Sequence, residues 1–390
     1  MRVVIVAGPY IPVPPSKYGG TERVIYYLIK GLKERGHEPV LLAPGDSKPG
    51  CELIPIVDQA IFFPKTRAGL PAFQKKVKQI HTNTIKKLRE ILPETDIVHS
   101  HDIDIRAFED TPNLTTIHGP ILFRQLDYYA KRQGLYFASI SKNQQEAYPN
   151  LQWVGAVYNG ENPKEFPLIK RPEDYVCFIG RFDREKNPHL AIELALSYGI
   201  RIKLAGKVDF LGDDYFKTEV KKYFRHPLVE YLGEVDKAQT IKLLSKARVN
   251  LHPTGFREPF GLTVLEAAYC GTPTMAIARG SMPELIEEGR TGLLVEDLVE
   301  GYHQMDELFA MDREYIARRG RRLFNYQVMA KQYLRAYKKV LTIFRVRQRE
   351  DEKIRRITQK SKKELQAVWT RDIKRRELQQ RIKIAKERHG

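Results

Sequence analysis

Short, fully apolar runs alternate along this chain with longer stretches in which apolar residues recur every three to four positions. The first pattern predicts strands buried on both faces, and the second predicts helices laid on a core. Strands are predicted over residues 2–7, 39–43, 96–99, 115–117 and 136–140. Thr21 is placed to cap a helix that runs to Arg35, with Val24, Tyr27, Leu28 and Leu32 on its inner face and Gly36 at its end. A basic helical stretch follows over 73–92. Strands alternating with helices imply a parallel sheet covered on both sides.

Residues 161–174, with Pro163, Pro167 and Pro172, break the pattern as a linker would. The alternation then restarts. Strands are predicted over 175–179, 201–205, 229–232, 249–251 and 274–278, and helices over 188–198, 214–224 and 237–247. This gives an α/β chain of two Rossmann-like halves, residues 1–160 and 175–325. A ligand cleft is expected between them, at the C-terminal ends of the strands. Residues 326–345 are apolar and aromatic enough to pack back toward the first half. Residues 346–390 continue as a basic amphipathic helix with Ile354, Ile357, Leu365 and Val368 on one side.

The clearest local feature is the stretch 252–273. An apolar strand enters a Pro/Gly loop, Glu258-Pro259-Phe260-Gly261 follows, and an apolar helix closes at Gly271 and Pro273. Pro259 suits a first helical turn. On that reading Glu258 sits just before a helix N-terminus and Glu266 lies about two turns in, their backbones on the order of 10 Å apart. The first-turn N–H groups of Gly261, Leu262 and Thr263 can then take phosphate or hydroxyl oxygens.

Composition narrows the classes. The 390 residues are enough for two full cores. Three widely spaced cysteines, Cys51, Cys177 and Cys270, form neither a disulfide framework nor a zinc spacing, so a reducing, cytoplasmic setting is expected. The first strand is too short for a signal peptide or a membrane span. The net charge is +18, and residues 346–390 alone carry +9, which suggests anionic partners.

Several side chains can carry chemistry. Gly180-Arg181 ends a strand and Lys186 follows in the same loop. The guanidinium fork and the mobile ammonium suit a diphosphate, or the loop is simply solvated. Gly19-Gly20 ahead of Thr21 permits close backbone approach to a phosphate, or is a plain turn. No G-x-G-x-x-G follows the first strand, which argues against a nicotinamide or flavin enzyme. His118 ends a strand and can reach the cleft, or serve as a structural residue. His99, His101 and Asp102 raise a metal site that no further ligand cluster completes, and Asp102-Ile103-Asp104 spells a metal–nucleotide signal of other sugar transferases that the two-Rossmann context discounts.

An ordered set of short motifs goes further. It comprises Tyr18-Gly19-Gly20-Thr21-Glu22-Arg23, Arg35-Gly36-His37, Thr116-Ile117-His118-Gly119, Tyr158-Asn159-Gly160, Gly180-Arg181 with Lys186, Leu204-Ala205-Gly206 and Leu232-Gly233-Glu234-Val235. Glu258-Pro259-Phe260-Gly261-Leu262 with Glu266, and Gly280-Ser281-Met282-Pro283-Glu284, complete it. In this order the motifs resemble glycosyltransferase family 4, and most nearly a bacterial branch with sugar transferases of oligosaccharide-antibiotic assembly. The resemblance covers residues 1 to about 343. It implies a GT-B fold and a retaining, metal-independent transfer of a hexose-type sugar from a nucleoside-diphosphate sugar, UDP- or GDP-linked, to an acceptor hydroxyl, with no cofactor. It implies an N-terminal acceptor domain and a C-terminal donor domain. Arg181 and Lys186 would bind the diphosphate, and Glu266 the ribose hydroxyls. Glu258 and the backbone of Phe260, Gly261 and Leu262 would hold the donor sugar, with His118 beside it. Gly19 and Gly20 would lie near the phosphate, and Gly233, Glu234 and Val235 would frame the base. One departure is Lys186-Asn187-Pro188 where the family usually has Lys-Gly, which predicts a changed loop shape.

The acceptor is expected to be a glycan, a lipid-linked or a small-molecule hydroxyl. The tail beyond 345 leaves alternatives open: a solvated helix, a peripheral contact with an anionic membrane face, self-association, or nucleic acid, the last not an expected partner. The rival reading of the whole chain is a catalytically silent nucleotide-sugar or anion-binding module that acts through that tail.

Overall fold

A computed structural model of the chain describes residues 1–17, 19–62, 64, 67–101, 104–120, 123–208 and 213–388. Tyr18 and Asp102, singled out above, lie outside the described residues. Two parallel sheets organise the unit Met1–Val340. The first has seven strands: β1 Arg2–Val6, β2 Glu38–Pro44, β3 Glu52–Val57, β4 Ile97–Ser100, β5 Asn113–Thr116, β6 Phe137–Ser139 and β7 Trp153–Ala156. Their order is β3-β2-β1-β4-β5-β6-β7, so the chain reverses direction across the sheet between β1 and β4. The second has six strands in the order β10-β9-β8-β11-β12-β13: β8 Tyr175–Ile179, β9 Arg201–Ala205, β10 Val229–Tyr231, β11 Val249–His252, β12 Thr274–Ile277 and β13 Gly292–Val295. These are the two Rossmann-like halves of a GT-B fold, each with its reversal at the middle of the sheet.

The central strands β1 and β8 are almost wholly apolar because helices cover both faces, while β4 and β11 bury His99, Ser100, Asn250 and His252 among apolar neighbours. Val3, Val4, Ile5, Val6 and Ala7 are fully buried, as are Val176 and Cys177 in the second sheet. The edge strands β3, β7 and β13 were not expected from the sequence. β3 carries Pro55 and β7 carries Gly155, residues that interrupt a strand pattern.

Three helical expectations change. The first helix spans Gly20–Lys33 with Gly19, at φ 156°, as its cap, so Thr21 sits inside it and caps nothing. Pro259 lies in the loop, since the helix it was to open spans Leu262–Tyr269 behind the left-handed Gly261 at φ 89°. The predicted helix over 214–224 is broken into an α turn Asp213–Tyr215, a π turn Phe216–Val220 and a 3₁₀ turn Lys221–Arg225. There Phe216 and Phe224 turn to meet Phe182 and Tyr231, and this aromatic packing outweighs α-helical propensity.

The last helix spans Tyr326–Arg388. Its first turns lie on the first half. A Cβ on Gly31 would come 2.6 Å from that of Ala330, so the absence of one lets the helices touch. Tyr326 donates to Glu34 at 2.8 Å, and the hydroxyl of Tyr337 bonds Nδ1 of His99 at 2.7 Å. The second unit, Leu341–Gly390, carries the basic remainder of this helix. Val346, Ile354, Ile357, Leu365, Val368 and Trp369 are exposed there. Val346, Ile357 and Val368, like Ile354 and Leu365, are eleven residues apart, a step that keeps a stripe on one side of a nearly straight helix.

Candidate active site

A cavity of about 400 Å³ opens between the two sheets, within the range of small-molecule sites. From the first half come Gly19, Gly20, Arg23 and His118. From the second come Arg181, Lys186, His252, Glu258, Phe260, Gly261, Leu262 and Thr263. The halves are close here, since a Cβ on Gly20 would meet Cδ1 of Leu262 at 2.9 Å.

Glu258 is held by backbone geometry. Gly280 adopts φ 62°, and a Cβ there would lie 2.4 Å from the carbonyl oxygen of Glu258 and 2.5 Å from its nitrogen. Ser281 N–H donates to that oxygen at 3.0 Å, and the Ser281 hydroxyl donates to the Phe260 carbonyl at 2.6 Å. The loop is thereby pinned before the helix begins, and its carboxylate faces the ammonium of Lys186, to which it is hydrogen-bonded. Nε2 of His252 lies 3.8 Å from the same carboxylate. Burial alone would push Glu258 up. Lys186 overrides it, with His252 and Arg181 adding, and holds the carboxyl below its ordinary value.

Lys186 is delivered by a special turn. Asn187 takes φ 49°, the one non-glycine residue with positive φ among those described, and Pro188 then opens the helix Pro188–Tyr198. Asn tolerates the left-handed region better than most residues, so it stands in for the expected glycine and the ammonium still reaches the cleft. Arg181 is engaged by Asp183 at 3.2 Å and Glu185 at 2.9 Å along the same loop.

His118, half-buried at the cavity wall, heads a chain of rings whose other members, His101 and His99, are buried. Its Nε2 is 2.8 Å from Nδ1 of His101, whose ring lies 4.1 Å from that of His99. Nε2 of His99 is 2.8 Å from the Thr116 hydroxyl, itself 3.0 Å from that of Tyr333. Burial lowers all three histidines, His118 to about 4, so His118 meets the cleft as a neutral ring.

Glu266 lies deeper. It is 1% exposed and does not line the cavity, and its Oε1 accepts from Nη1 of Arg23 at 2.7 Å. Behind it, fully buried Glu161 approaches Arg23 at 3.8 Å and Lys237 at 3.0 Å. Gly233, Glu234 and Val235 follow β10 and do not line the cavity. Val235 packs instead on the core that includes Leu244 and Leu265. Among the described residues no group of three or more His, Cys, Asp or Glu is placed to hold a metal ion.

Sequence reasoning missed Arg23 as a site residue, along with Glu161, Lys237 and His252. Arg23 stood inside a quoted motif, but its partner is 243 positions away, a pairing that one sequence does not reveal.

Comparison with known proteins agrees with this architecture. The family described as Glycosyltransferase Family 4 matches residues 18–157, and the one described as Glycosyl transferases group 1 matches residues 161–304. A glycogen synthase of Mycobacterium tuberculosis is 25% identical over 356 residues, spanning 75% of this chain and 82% of that one. AviGT4, a glycosyltransferase involved in avilamycin A biosynthesis, superposes with a TM-score of 0.65 at 22% identity, over 87% of this chain and 98% of its own. Anabaena Alr3699/HepE, in complex with UDP and glucose, gives a TM-score of 0.64 at 17% identity, over 87% and 100%. With these matches on both halves, the chain belongs to glycosyltransferase family 4 and is a glycosyltransferase of GT-B fold.

Proposed function

We propose that this glycosyltransferase moves a hexose-type sugar from a nucleoside-diphosphate sugar to an acceptor hydroxyl with retention at the anomeric carbon and without a metal ion. The observation that carries the reading is the convergence of Arg181, Lys186 and Glu258 on one cavity, opposite Gly19 and Gly20 and beside the start of the helix Leu262–Tyr269. The two cations would stabilise charge developing on the leaving diphosphate, and the helix N–H groups would add to that field. Glu258 would hold sugar hydroxyls, with His118 beside them as a neutral partner. The acceptor hydroxyl would attack on the face the diphosphate leaves, passing its proton to a phosphate oxygen. The protein then supplies positioning and preorganised charge.

Glu266 would receive the ribose, and Gly233 to Val235 would frame the base. Residues 1–160 would bind the acceptor and 175–325 the donor, with 161–174 between them. UDP is the first nucleotide to try, because complexes of Anabaena Alr3699/HepE hold UDP and UDP-glucose. GDP is the second. The tail, with its net +9 and its exposed apolar stripe, would bring the enzyme to an anionic membrane face from the cytoplasm. No helix among the described residues is long and apolar enough to cross a membrane.

The test pairs a thermal-shift panel of UDP, GDP, ADP and dTDP, with and without chelator, with proton NMR of the product formed from the matching donor. One stabilising nucleotide, no chelator effect and retained anomeric configuration are expected. An inverted product would overturn the mechanism. Nucleotide binding with neither transfer nor donor hydrolysis would favour the silent binding module.

A further inference from the structure

We infer that Arg23, which belongs to the first half, is a positioning residue of the donor-ribose subsite in the second half: it clamps one oxygen of Glu266 and presents the other to a ribose hydroxyl. The inference rests on the proposed ribose role of Glu266 and adds a residue to it.

The geometry is specific. Arg23 lines the cavity while Glu266 lies beneath it. Nη1 of Arg23 donates to Oε1 of Glu266 at 2.7 Å. Oε2 of Glu266 is buried and accepts no N–H or hydroxyl donor among the described residues; the group within hydrogen-bonding reach of this carboxyl is a second carboxyl, that of Glu161. A buried carboxylate oxygen left unpaired is costly, and native structures tolerate one where a ligand supplies the missing donor. Ribose hydroxyls are such donors. Leu262 and Thr263, on the first turn of the helix that carries Glu266, line the same cavity, so a nucleotide seated there runs along this helix.

The surroundings explain why a cation is needed. Glu266 faces Glu161 from the chain between the halves, with Glu165 further out, and Tyr269 and Cys270 from the end of its own helix. Lys237, from the helix Lys237–Lys246, and Arg23 and Tyr27, from the first helix, complete the shell. Two buried carboxylates side by side cannot both stay ionised without positive partners. Lys237 is 3.0 Å from Glu161 and 2.6 Å from Glu165, which leaves Arg23 as the direct partner of Glu266. Because Arg23 and Glu266 sit on opposite sides of the cleft, the ribose subsite is complete only when the halves are together.

The test measures the affinity of the full-length protein for UDP or GDP, whichever stabilises it, and for the 2′,3′-dideoxy analogue of that nucleotide. It compares wild type, Arg23→Gln, Arg23→Lys and Glu266→Gln from pH 6 to 9, with folding checked by circular dichroism. Wild type is expected to lose about tenfold in affinity when the ribose hydroxyls are removed. Arg23→Gln should bind the normal nucleotide about tenfold more weakly and lose little further with the analogue. Its binding should recover at higher pH, because without the guanidinium Glu266 takes up a proton more readily. Arg23→Lys should restore the pH profile but only part of the affinity, since the fork is gone. Equal or tighter nucleotide binding by a folded Arg23→Gln would overturn the inference and make Arg23 a plug over the site. If Glu266→Gln also binds like wild type, the ribose assignment itself fails. If Glu266→Gln is weakened and both Arg23 variants are not, only the role of Arg23 fails.

Discussion

Lys186 and Glu258, 72 positions apart in sequence, form a hydrogen-bonded ion pair that links the loop after β8 to the loop after β11. Both side chains are 14% exposed, so removing either charge strands the other in a poorly solvated place. Lys186→Ala is therefore expected to lower transfer by a factor on the order of 10²–10³. Stability should fall by only about 1–3 kcal/mol. Initial rates and urea melts check the two effects separately. A folded Lys186→Ala with wild-type rates would remove Lys186 from the site.

Gly280 offers a test of the loop that carries Glu258. Its left-handed φ and the 2.4 Å approach of a Cβ to the Glu258 carbonyl leave no room for a side chain. Gly280→Ala should displace the loop and lower transfer at least tenfold, since an ångström of misplacement costs this much or more. The nucleotide-induced thermal shift, which depends more on Arg181 and the helix start, should fall less than the rate. Unchanged kinetics would mean that the loop position does not matter.

The three edge strands that escaped the sequence pattern show what such a pattern records. β1 and β8 were legible because burial on both faces leaves an almost unbroken apolar run, and β4 and β11 because each still opens on an apolar residue before its buried polar ones. β3, β7 and β13 each lie at a sheet edge, with one side unpaired, and carry or border Pro or Gly. The residues of the cleft were legible as motifs, but their pairings were not. Nothing local to Glu266 announces Arg23, and nothing local to Lys186 announces Glu258. Asn187 is a different case: an altered loop was expected where it replaces a glycine, and it takes the positive φ that a glycine there would itself favour.

Acid should destabilise the protein through its histidines. Burial lowers His99, His101, His118 and His252, the last two to about 4. The unfolded chain takes up these protons near its ordinary value of about 6.5, before the folded chain does. Stability is thus full above about pH 6.5 and falls toward pH 4, by up to about 1.4 kcal/mol per pH unit for each histidine. Urea melts at pH 7.5, 6 and 5 measure the slope, and His118→Asn should flatten it. A pH-independent midpoint over this window would contradict the buried neutral rings.

Glu284 ties the halves together away from the cleft floor. Its carboxylate accepts the backbone N–H groups of Lys142 and Asn143, each at 2.8 Å, and the hydroxyl of Tyr158 at 2.7 Å. It thereby serves the start of the helix Lys142–Ala147, which belongs to the other half. Glu284→Ala is expected to cost about 1–3 kcal/mol and to increase amide exchange at residues 142–144. Exchange unchanged from wild type would show the contact to be incidental.

The helix that begins at Tyr326 has a consequence for how the protein is made. Tyr333 and Tyr337 lie against Thr116 and His99 at the heart of the seven-stranded sheet, and Ala330 fills the space beside Gly31. A ribosome adding about 5–20 residues per second delivers those tyrosines roughly ten to forty seconds after β7 has emerged. Through that interval the first sheet waits with one flank open, while the second sheet is synthesised and folds. A segment made only after the whole second sheet is thus the one that completes the first sheet. A nascent chain stalled short of residue 326 should expose that flank to chaperones even though every strand of the sheet is present.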